Sequence, residues 1–200
     1  MAPAPQAMAR EGPQIQVLTL ADMEGAVAVL NEGFGSKTCC CCIPGTTSVS
    51  EVSKRYTKCP AKLSVSAIAK GLDGTVNGVL LVAEHGMPVY PAGIHTTKPG
   101  EIYIEQIAVS AAARGQGVGG KLLDWCESVA RERGAKVITL AVLRGNPAIK
   151  LYKRKGFAEK PEEDECEYCC GVVFVCCLMG RPYGLCSPHV GAFDMQKLLV

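Results

Sequence analysis

The chain lacks three features that would assign it to particular classes of protein. Its longest apolar run, Val172–Leu178, is far too short to span a bilayer. Its formal net charge of +2 gives no excess charge that would draw it to nucleic acid or to a membrane surface. Residues 1–14 contain no apolar core of a secretory signal. We therefore expect an intracellular, cytoplasmic protein with no membrane span and no nucleic-acid partner, with an organelle left open as an alternative.

Histidine is also scarce, because the chain has only His85, His95 and His189. Their positions form no spacing motif of a metal site, so each is predicted to be an ordinary loop residue rather than a ligand. No metal is expected in this protein.

The length and composition suit one globular domain. The chain has 200 residues, of which 48% are hydrophobic and 20% charged. Residues 1–13 are small and rich in proline, so they are predicted to form a disordered tail. Residues 14–200 are predicted to form the single domain.

The most informative stretch begins with Ile102–Val109, an apolar and branched run with the composition of a buried strand. A glycine cluster follows, and apolar residues then recur at helical spacing up to Ala130. Gly134 is placed to end this helix, and Val137–Leu143 has the composition of a second buried strand. Together these segments predict a strand, a glycine-rich turn, a helix and a strand.

The glycine-rich turn has the composition of an anion site. Glycine lets backbone N–H groups converge on one concavity, because no Cβ atom obstructs it. The N-terminus of the following helix adds partial positive charge, and an arginine adds a forked donor, which together suit phosphate or pyrophosphate. The residues expected to form this site are Arg114, Gly115, Gln116, Gly117, Val118, Gly119 and Gly120.

Three motifs fit these letters. Residues 115–120 match the G-x-G-x-x-G of dinucleotide sites, and the same glycines match most of a P-loop. The P-loop fails at Leu122, where a Ser or Thr should bind magnesium. The dinucleotide motif lacks an acid after the next strand, where Arg144 could instead suit NADP, but few residues remain for a doubly wound fold. The third motif is R-x-x-G-x-G, beginning at Arg114.

A short helix is predicted after the second strand, in the sequence NPAIKLYKRKGF. Asn146 is a good N-cap and Pro147 suits the first helical position. Gly156 is a natural left-handed stop, and Phe157 can pack back on Leu151 or Tyr152.

The central strand, the R-x-x-G-x-G loop with its helix, the next strand and the N-x-x-A-x-x-x-Y-x-x-x-G-F helix resemble the GNAT superfamily of acetyl-CoA-dependent N-acetyltransferases. The loop alone is weakly diagnostic, but the two motifs in this order and spacing are specific. The resemblance implies an α/β (α+β) domain with a mixed, mostly antiparallel sheet flanked by helices. It also implies a splay between the central strand and the next, which admits acetyl-CoA.

The resemblance assigns an activity and roles to individual residues. It implies transfer of the acetyl group to a primary amine by direct attack, with no acyl-enzyme. Tyr152 would be the general acid toward the leaving thiolate, and Asn146 would form a hydrogen bond with the pantetheine arm. Without the resemblance, these two are a core tyrosine and a simple N-cap. The backbone groups expected to hold the pantetheine and the acetyl carbonyl belong to Ile107, Ala108 and Val109.

A general base is expected from the central strand. An amine must be neutral to attack, so a base is useful, and the family commonly supplies one from this strand. Strand periodicity places Glu101, Tyr103 and Glu105 on one face with Ile107 and Val109. Glu105 is closest to the expected acetyl site and is the predicted base. The alternative is that either glutamate is simply an exposed residue of the strand.

The remaining elements follow from periodicity and turn signals. The predicted elements are a strand at 15–18, a helix at 20–34 capped by Thr19, a helix at 50–57 ended by Cys59-Pro60, a strand at 63–69, turns at 71–74 and 77–78, a strand at 79–84 that completes a hairpin, a loop at 87–100 and a final strand at 193–199.

Cysteine is abundant, with twelve residues in the chain. Without a secretory signal, and with acetyl-CoA chemistry in a reducing compartment, we expect free thiols that act mostly as small hydrophobes. The run Cys39–Cys42 could bind metal, carry palmitate or form a thiol-rich loop over the acceptor groove. The loop is preferred, because zinc ligands usually come as spaced pairs. Residues 166–178 repeat apolar positions at helical spacing and predict an amphipathic helix, with a strand at 172–176 as the alternative and a loop at 181–191 beyond.

Two other functions stay open at this point. One is a CoA-binding regulatory module without turnover, and the other is a thiol-rich metal or redox protein. The acceptor is open as well, among small amines, amino acids, protein N-termini and lysines. A homodimer is one option for the assembly.

Overall fold

The computed structural model describes residues 12–34, 46–92, 95–160 and 192–199. Four predictions concern segments that lie wholly or almost wholly outside these residues. They are the N-terminal tail, the run Cys39–Cys42, the helix at 166–178 and the loop at 181–191.

The described residues form one seven-stranded sheet in the order β1-β2-β3-β4-β5-β7-β6. Among these strands only the β4–β5 pair is parallel, so the predicted mixed, mostly antiparallel sheet is confirmed. The strands are β1 (Gln14–Val17), β2 (Ala67–Lys70), β3 (Val76–Glu84), β4 (Glu101–Val109), β5 (Val137–Leu143), β6 (Ala158–Glu159) and β7 (Ala192–Leu198).

Helices cover both faces of the sheet. Short 3-10 turns precede α1, follow α2 and follow β4, at residues 20–22, 60–65 and 111–113. In the described residues no helix is both long enough and apolar enough to cross a membrane. The α-helices are α1 (Met23–Phe34), α2 (Val49–Lys58), α3 (Val118–Glu132) and α4 (Ile149–Arg154).

The helix starts follow the capping chemistry of their first residues. At the start of α1, the Asp22 carboxylate accepts the Thr19 N–H at 3.1 Å and its hydroxyl at 2.5 Å. At the start of α2, Ser48 Oγ accepts the Glu51 N–H at 3.2 Å while Glu51 Oε2 accepts the Ser48 N–H at 2.9 Å. In both pairs the acidic side chain accepts the N–H of the capping residue. At α2 the Ser48 hydroxyl also accepts the N–H of Glu51, which lacks an intrahelical acceptor.

Two apolar cores lie on opposite faces of the sheet. The larger core packs α3 and α4 against alternate residues of the strands, and the smaller core packs α1 and α2 on the other face. The predicted burial of Cys126 on the apolar face of α3 is confirmed, since it is 2% exposed within the larger core. The residues of α3 buried there are Val118, Leu122, Leu123, Cys126 and Ala130.

Two predictions about the β2–β3 hairpin are wrong in part. The strand predicted at 63–69 begins only at Ala67, because Pro60 starts a 3-10 turn that occupies residues 60–65. The turn predicted at 77–78 lies inside β3. Gly78 serves close packing there, because a Cβ atom would stand 2.9 Å from Val118 and 3.1 Å from Leu122.

The packing of α3 gives a prediction for stability. Leu122 is fully buried, whereas Leu72 in the β2–β3 turn is 75% exposed. Replacing Leu122 with alanine leaves a cavity and should lower the free energy of unfolding by about 2–5 kcal/mol. The matched change Leu72→Ala should alter it by less than about 0.5 kcal/mol. Urea unfolding of both variants measures the difference, and equal losses would contradict the core described here.

Candidate active site

The central feature of the site is an opening between β4 and β5. These parallel strands pair only from Glu101 opposite Val137 to Ile104 opposite Leu140. Beyond this point β4 continues to pair with β3, and β5 continues to pair with β7. In the described strands, one edge of β4 from residue 105 to 109 therefore faces a gap. The backbone of Ile107, Ala108 and Val109 lies along this edge, which has no strand partner on that side in the described residues.

The glycine-rich loop lies directly beyond the end of β4. Gly117 is the N-cap of α3 with a φ of +79°, and Gly115 has a φ of +76°, values that favour glycine. The first backbone bond of the helix runs from the Lys121 N–H to the Gly117 carbonyl at 3.0 Å. The N–H groups of residues 117–120 consequently have no intrahelical acceptor and carry the positive end of the helix dipole.

The four glycines of the loop differ in their surroundings. At Gly115 and Gly117 no described atom lies within 4 Å of the place that a Cβ atom would take, so these residues face open space. At Gly119 a Cβ atom would stand 3.1 Å from Leu151, and at Gly120 it would stand 3.2 Å from Lys155. The first two glycines thus form an open cradle, while the last two let α3 approach α4.

Two polar side chains hold this loop in shape. Arg114 Nε donates to the Val109 carbonyl at 3.1 Å, which places the guanidinium at the end of β4. Gln116 Nε2 donates to the Ala112 carbonyl at 2.8 Å. The positive charge of Arg114 therefore lies beside the cradle, whereas the Gln116 side chain folds back on the preceding turn.

The second motif forms the short helix α4 after β5. Asn146 Oδ1 accepts the Ala148 N–H at 2.9 Å, so the asparagine caps the turn even though regular α4 begins at Ile149. This bond engages the carboxamide oxygen. At the other end, Gly156 has a φ of +86°, and the ring of Phe157 lies 6.1 Å from that of Tyr152.

Tyr152 combines a buried ring with an unengaged hydroxyl. The residue is 6% exposed and belongs to the larger core. Within the described part of the chain its hydroxyl has no hydrogen-bond partner. Burial raises the pKa of Tyr152 to about 12, so the hydroxyl stays protonated at neutral pH.

A bulge in β4 determines where Glu105 lies. Leu81 pairs with Gln106, but the next residue, Val82, pairs with Ile104, so Glu105 has no partner opposite it on β3. An extra residue in one strand bends it and shifts the alternation of its side chains.

The bulge overturns one prediction about the central strand. Ile107 and Val109 pack in the larger core with Ile102 and Ile104, whereas Tyr103 packs in a separate small cluster with Ala83 and Val89. Tyr103 therefore does not share a face with Ile107 and Val109. Period-two reasoning failed here because it assumed a strand without an inserted residue.

The Glu105 side chain is buried and paired with a lysine. Its Oε1 accepts from Lys62 Nζ at 2.6 Å and from the Tyr90 N–H at 2.8 Å. The side chains of Lys62 and Glu105 are 0% and 3% exposed. Burial raises the pKa of Glu105, and the Lys62 ammonium opposes that rise. Nothing in the sequence marked Lys62, because a single lysine in a short amphipathic segment usually lies at the surface.

Glu101 lies at the opposite end of β4, and both of its carboxylate oxygens have hydrogen-bond partners. Its Oε1 lies 2.8 Å from His95 Nε2 and accepts the Thr139 hydroxyl, while its Oε2 accepts the Lys98 N–H at 2.7 Å. Burial alone would raise the pKa of Glu101, but these hydrogen bonds outweigh it and lower the pKa to about 2. His95 also stacks on Tyr103 with ring centroids 4.2 Å apart, so it is more than a simple loop residue. Within the described residues no three His, Cys, Asp or Glu side chains are grouped as a metal site requires.

Comparison with known sequences gives partial matches to acetyltransferases. Over 80 residues the chain is 36% identical to the thialysine N-epsilon-acetyltransferase of Bos taurus, covering 40% of this chain and 47% of that protein. Over 92 residues it is 35% identical to the streptothricin acetyltransferase of Streptomyces lavendulae, covering 46% and 43%. The chain thus matches less than half the length of these curated relatives.

Comparison with solved structures shows the fold. A GCN5-related N-acetyltransferase from Kribbella flavida superposes with a TM-score of 0.64 at 21% identity, covering 96% of this chain and all of that one (100%). Naa20 of Chaetomium thermophilum, solved with a bisubstrate analogue, gives a TM-score of 0.61 at 22% identity, covering 93% and 86%. The model of the acetyltransferase (GNAT) family matches residues 55–157, which is more than half of the chain. The protein therefore belongs to the acetyltransferase (GNAT) family.

Proposed function

We propose that this chain is an N-acetyltransferase that transfers the acetyl group of acetyl-CoA to a primary amine by direct attack. The observation that carries the proposal is the gap between β4 and β5, with the open cradle of Gly115 and Gly117 at its mouth. We propose Tyr152, on the helix that follows β5, as the acid and Glu105, on β4, as the base. We propose residues 14–200 as one catalytic domain.

The residues of the gap fit acetyl-CoA. The unpaired N–H groups at residues 117–120, the open loop at Gly115 and the charge of Arg114 suit a pyrophosphate. The free edge of β4 from 107 to 109 offers backbone groups to the pantetheine arm, and the Asn146 carboxamide nitrogen can donate to the same arm. When bound, acetyl-CoA supplies an acetyl thioester with a thiolate as leaving group.

Glu105 is proposed as the general base. An amine carries a proton at neutral pH and must lose it before it can attack a carbonyl carbon. Burial raises the pKa of Glu105 toward the working pH, which suits a group that accepts and then releases a proton.

Tyr152 is proposed as the general acid. The raised pKa keeps its hydroxyl protonated, and this hydroxyl has no hydrogen-bond partner in the described residues, so its proton is available to the leaving thiolate. The state of Cys126 agrees with direct transfer, which needs no thiol nucleophile. This thiol is buried and its pKa is raised to about 12, so it is a poor nucleophile.

The acceptor is proposed to be a primary amine on a small molecule or a peptide. The partial relatives are named for action on thialysine and streptothricin, which favours a small amine first. A cytoplasmic location and a homodimer stay predictions from the sequence.

Turnover of acetyl-CoA on a panel of amines tests the proposal. The panel should include lysine, thialysine, a polyamine, an aminoglycoside-type antibiotic and peptides with free N-termini. The acetylated product should be detected by mass spectrometry, because a chain with twelve cysteines can itself react with the thiol reagents used to detect CoA. Binding of acetyl-CoA without turnover of any amine would favour the regulatory module instead. Metal found in anaerobically purified protein would favour the thiol-rich metal protein.

The glycine cradle gives a prediction for cofactor binding. Gly117→Glu should abolish acetyl-CoA binding, because the side chain and its charge would occupy the cradle. Gly134→Glu is a matched control, since Gly134 also has a left-handed φ (+68°) and open space but lies at the far end of α3. Both changes should cost about 1–2 kcal/mol of stability through the backbone. Calorimetry should show binding lost only at residue 117, and equal affinity of both folded variants would contradict the cradle.

Removal of the Tyr152 hydroxyl gives a prediction for the chemistry. Tyr152→Phe keeps the ring packed on Phe157 and deletes the proton donor, so kcat should fall by roughly 10²–10⁴ with nearly unchanged acetyl-CoA affinity. Tyr56→Phe is the control, because the Tyr56 hydroxyl lies 3.1 Å from Ser66 Oγ in the smaller core. That variant should lose stability and lower kcat far less than Tyr152→Phe does. A wild-type rate for Tyr152→Phe in single-turnover experiments limited by chemistry would make Tyr152 a packing residue only.

A further inference from the structure

The burial of Lys62 is the least expected feature of the active-site region. Lys62 lies in the 3-10 turn between α2 and β2 and is 0% exposed. Its Nζ donates to Glu105 Oε1 at 2.6 Å and to the Pro88 carbonyl at 2.8 Å, and it lies 5.1 Å from the centroid of the Tyr90 ring. Lysine is almost never fully buried unless it is paired.

Stability alone does not account for this pair. Removing two ions from water is costly, and an apolar pair of similar volume is often as stable or more stable. The lysine is therefore better explained by an effect on the carboxylate that it contacts.

The contacts leave one oxygen of Glu105 available. Lys62 and the Tyr90 N–H both donate to Oε1. In the described residues Oε2 accepts no hydrogen bond. The carboxylate is thus held at one oxygen and unengaged at the other.

We propose that Lys62 is the positioning residue for Glu105, holding Oε1 and keeping the buried group a carboxylate so that Oε2 takes the proton of the acceptor ammonium. This inference rests on the proposed function, because it takes Glu105 as the base. In the step, the ammonium loses one proton and becomes an amine, and Glu105 gains it and becomes a carboxylic acid. Burial lowers the pKa of Lys62, and its charge and hydrogen bond with Glu105 oppose that fall. In this proposal Lys62 keeps its own proton throughout, and Glu105 returns the acquired proton to solvent after the transfer.

Two opposing effects act on Glu105. Burial raises its pKa, and the Lys62 ammonium lowers it through charge and hydrogen bonding. Without Lys62 the effect of burial would be less opposed, and Glu105 would be protonated at higher pH. Since an active base must be deprotonated, activity would then be lost at a higher pH as the solution is acidified.

Other groups near Glu105 do not replace Lys62. Arg55 of α2 also lowers the pKa of Glu105, but its guanidinium stacks on Tyr90, with Cζ 4.8 Å from the ring centroid, and has no hydrogen bond to Glu105. Tyr56 of α2 and Tyr103 of β4 have pKa values raised by burial and are neutral at neutral pH. The titratable or charged groups that surround the pair are Arg55, Tyr56, Cys59, Tyr90 and Tyr103.

The experiment compares Lys62→Met with Lys62→Arg. Carboxyl carbon NMR of the full chain, without substrate, measures the titration midpoint of Glu105, which is the pH at which this side chain is half protonated. The midpoint should be higher by about one pH unit or more in Lys62→Met. Lys62→Arg keeps the positive charge and should stay close to the wild type. In Lys62→Met, the acid limb of the pH profile of kcat/KM, measured with the best amine of the panel, should move to higher pH by the same amount.

Two matched variants control for loss of charge elsewhere. Lys70→Met removes a lysine that pairs with Asp22 at 2.6 Å away from Glu105, so it should leave the midpoint unchanged. Arg55→Met removes a nearby cation without a hydrogen bond to Glu105 and should give a smaller shift than Lys62→Met.

The outcomes separate the inference from the proposed function. Shifts in both the NMR midpoint and the acid limb support the role of Lys62, and an unchanged midpoint in Lys62→Met overturns it. A shifted midpoint with an unshifted acid limb also overturns it. If Lys62→Met does not fold, nitrogen NMR of wild-type Lys62 decides, because loss of its proton before Glu105 ionises would overturn the role. Failure of the wild type to acetylate any amine overturns the proposed function, while NMR still measures the coupling of the pair.

Discussion

The separation of β4 from β5 is the constraint on which the rest of the site depends. Each strand keeps its antiparallel partner along its length, β3 for β4 and β7 for β5, so only their shared edge opens. Because the two strands are parallel, the segments that follow them leave from the same end of the sheet. The glycine loop with α3 follows β4, and the capped turn with α4 follows β5. One break in pairing thus leaves the glycine loop and the start of α4 at the same end of the two separated strands.

The bulge in β4 directs the side chains before and after it to different faces of the sheet. Residues 107 and 109 return to the core beneath α3, which anchors the edge of the gap. Glu105 is released from pairing with β3 and turns to Lys62, a residue that precedes it by 43 positions. A regular strand would not allow this arrangement, because a carboxylate two positions before Ile107 would then have to share its apolar face.

The parts of this molecule that could be predicted from the sequence are those governed by neighbouring residues. The capping residues, the glycine turn, the apolar stripe of α3 and the stop at Gly156 all act within a few positions, so their letters predict their structure. The buried Lys62 and the bulge at Glu105 arise from pairing between distant segments, and no local pattern reports such pairing. The predicted turn at Gly78 is wrong for the same reason. This glycine makes room for side chains of α3, which is distant in the sequence.

The tight contact at Gly119 has a mechanical consequence. With no side chain at this position, the first turn of α3 lies against Leu151 of α4, and Lys155, which directly follows α4, pairs with Asp124 of α3 at 2.6 Å. The first turn of α3 thus contacts the first turn of α4, and an ion pair joins the middle of α3 to the residue that follows α4. The start of α3 and the helix that carries Tyr152 are therefore in direct contact, and a side chain added at residue 119 would push on the tyrosine helix through Leu151.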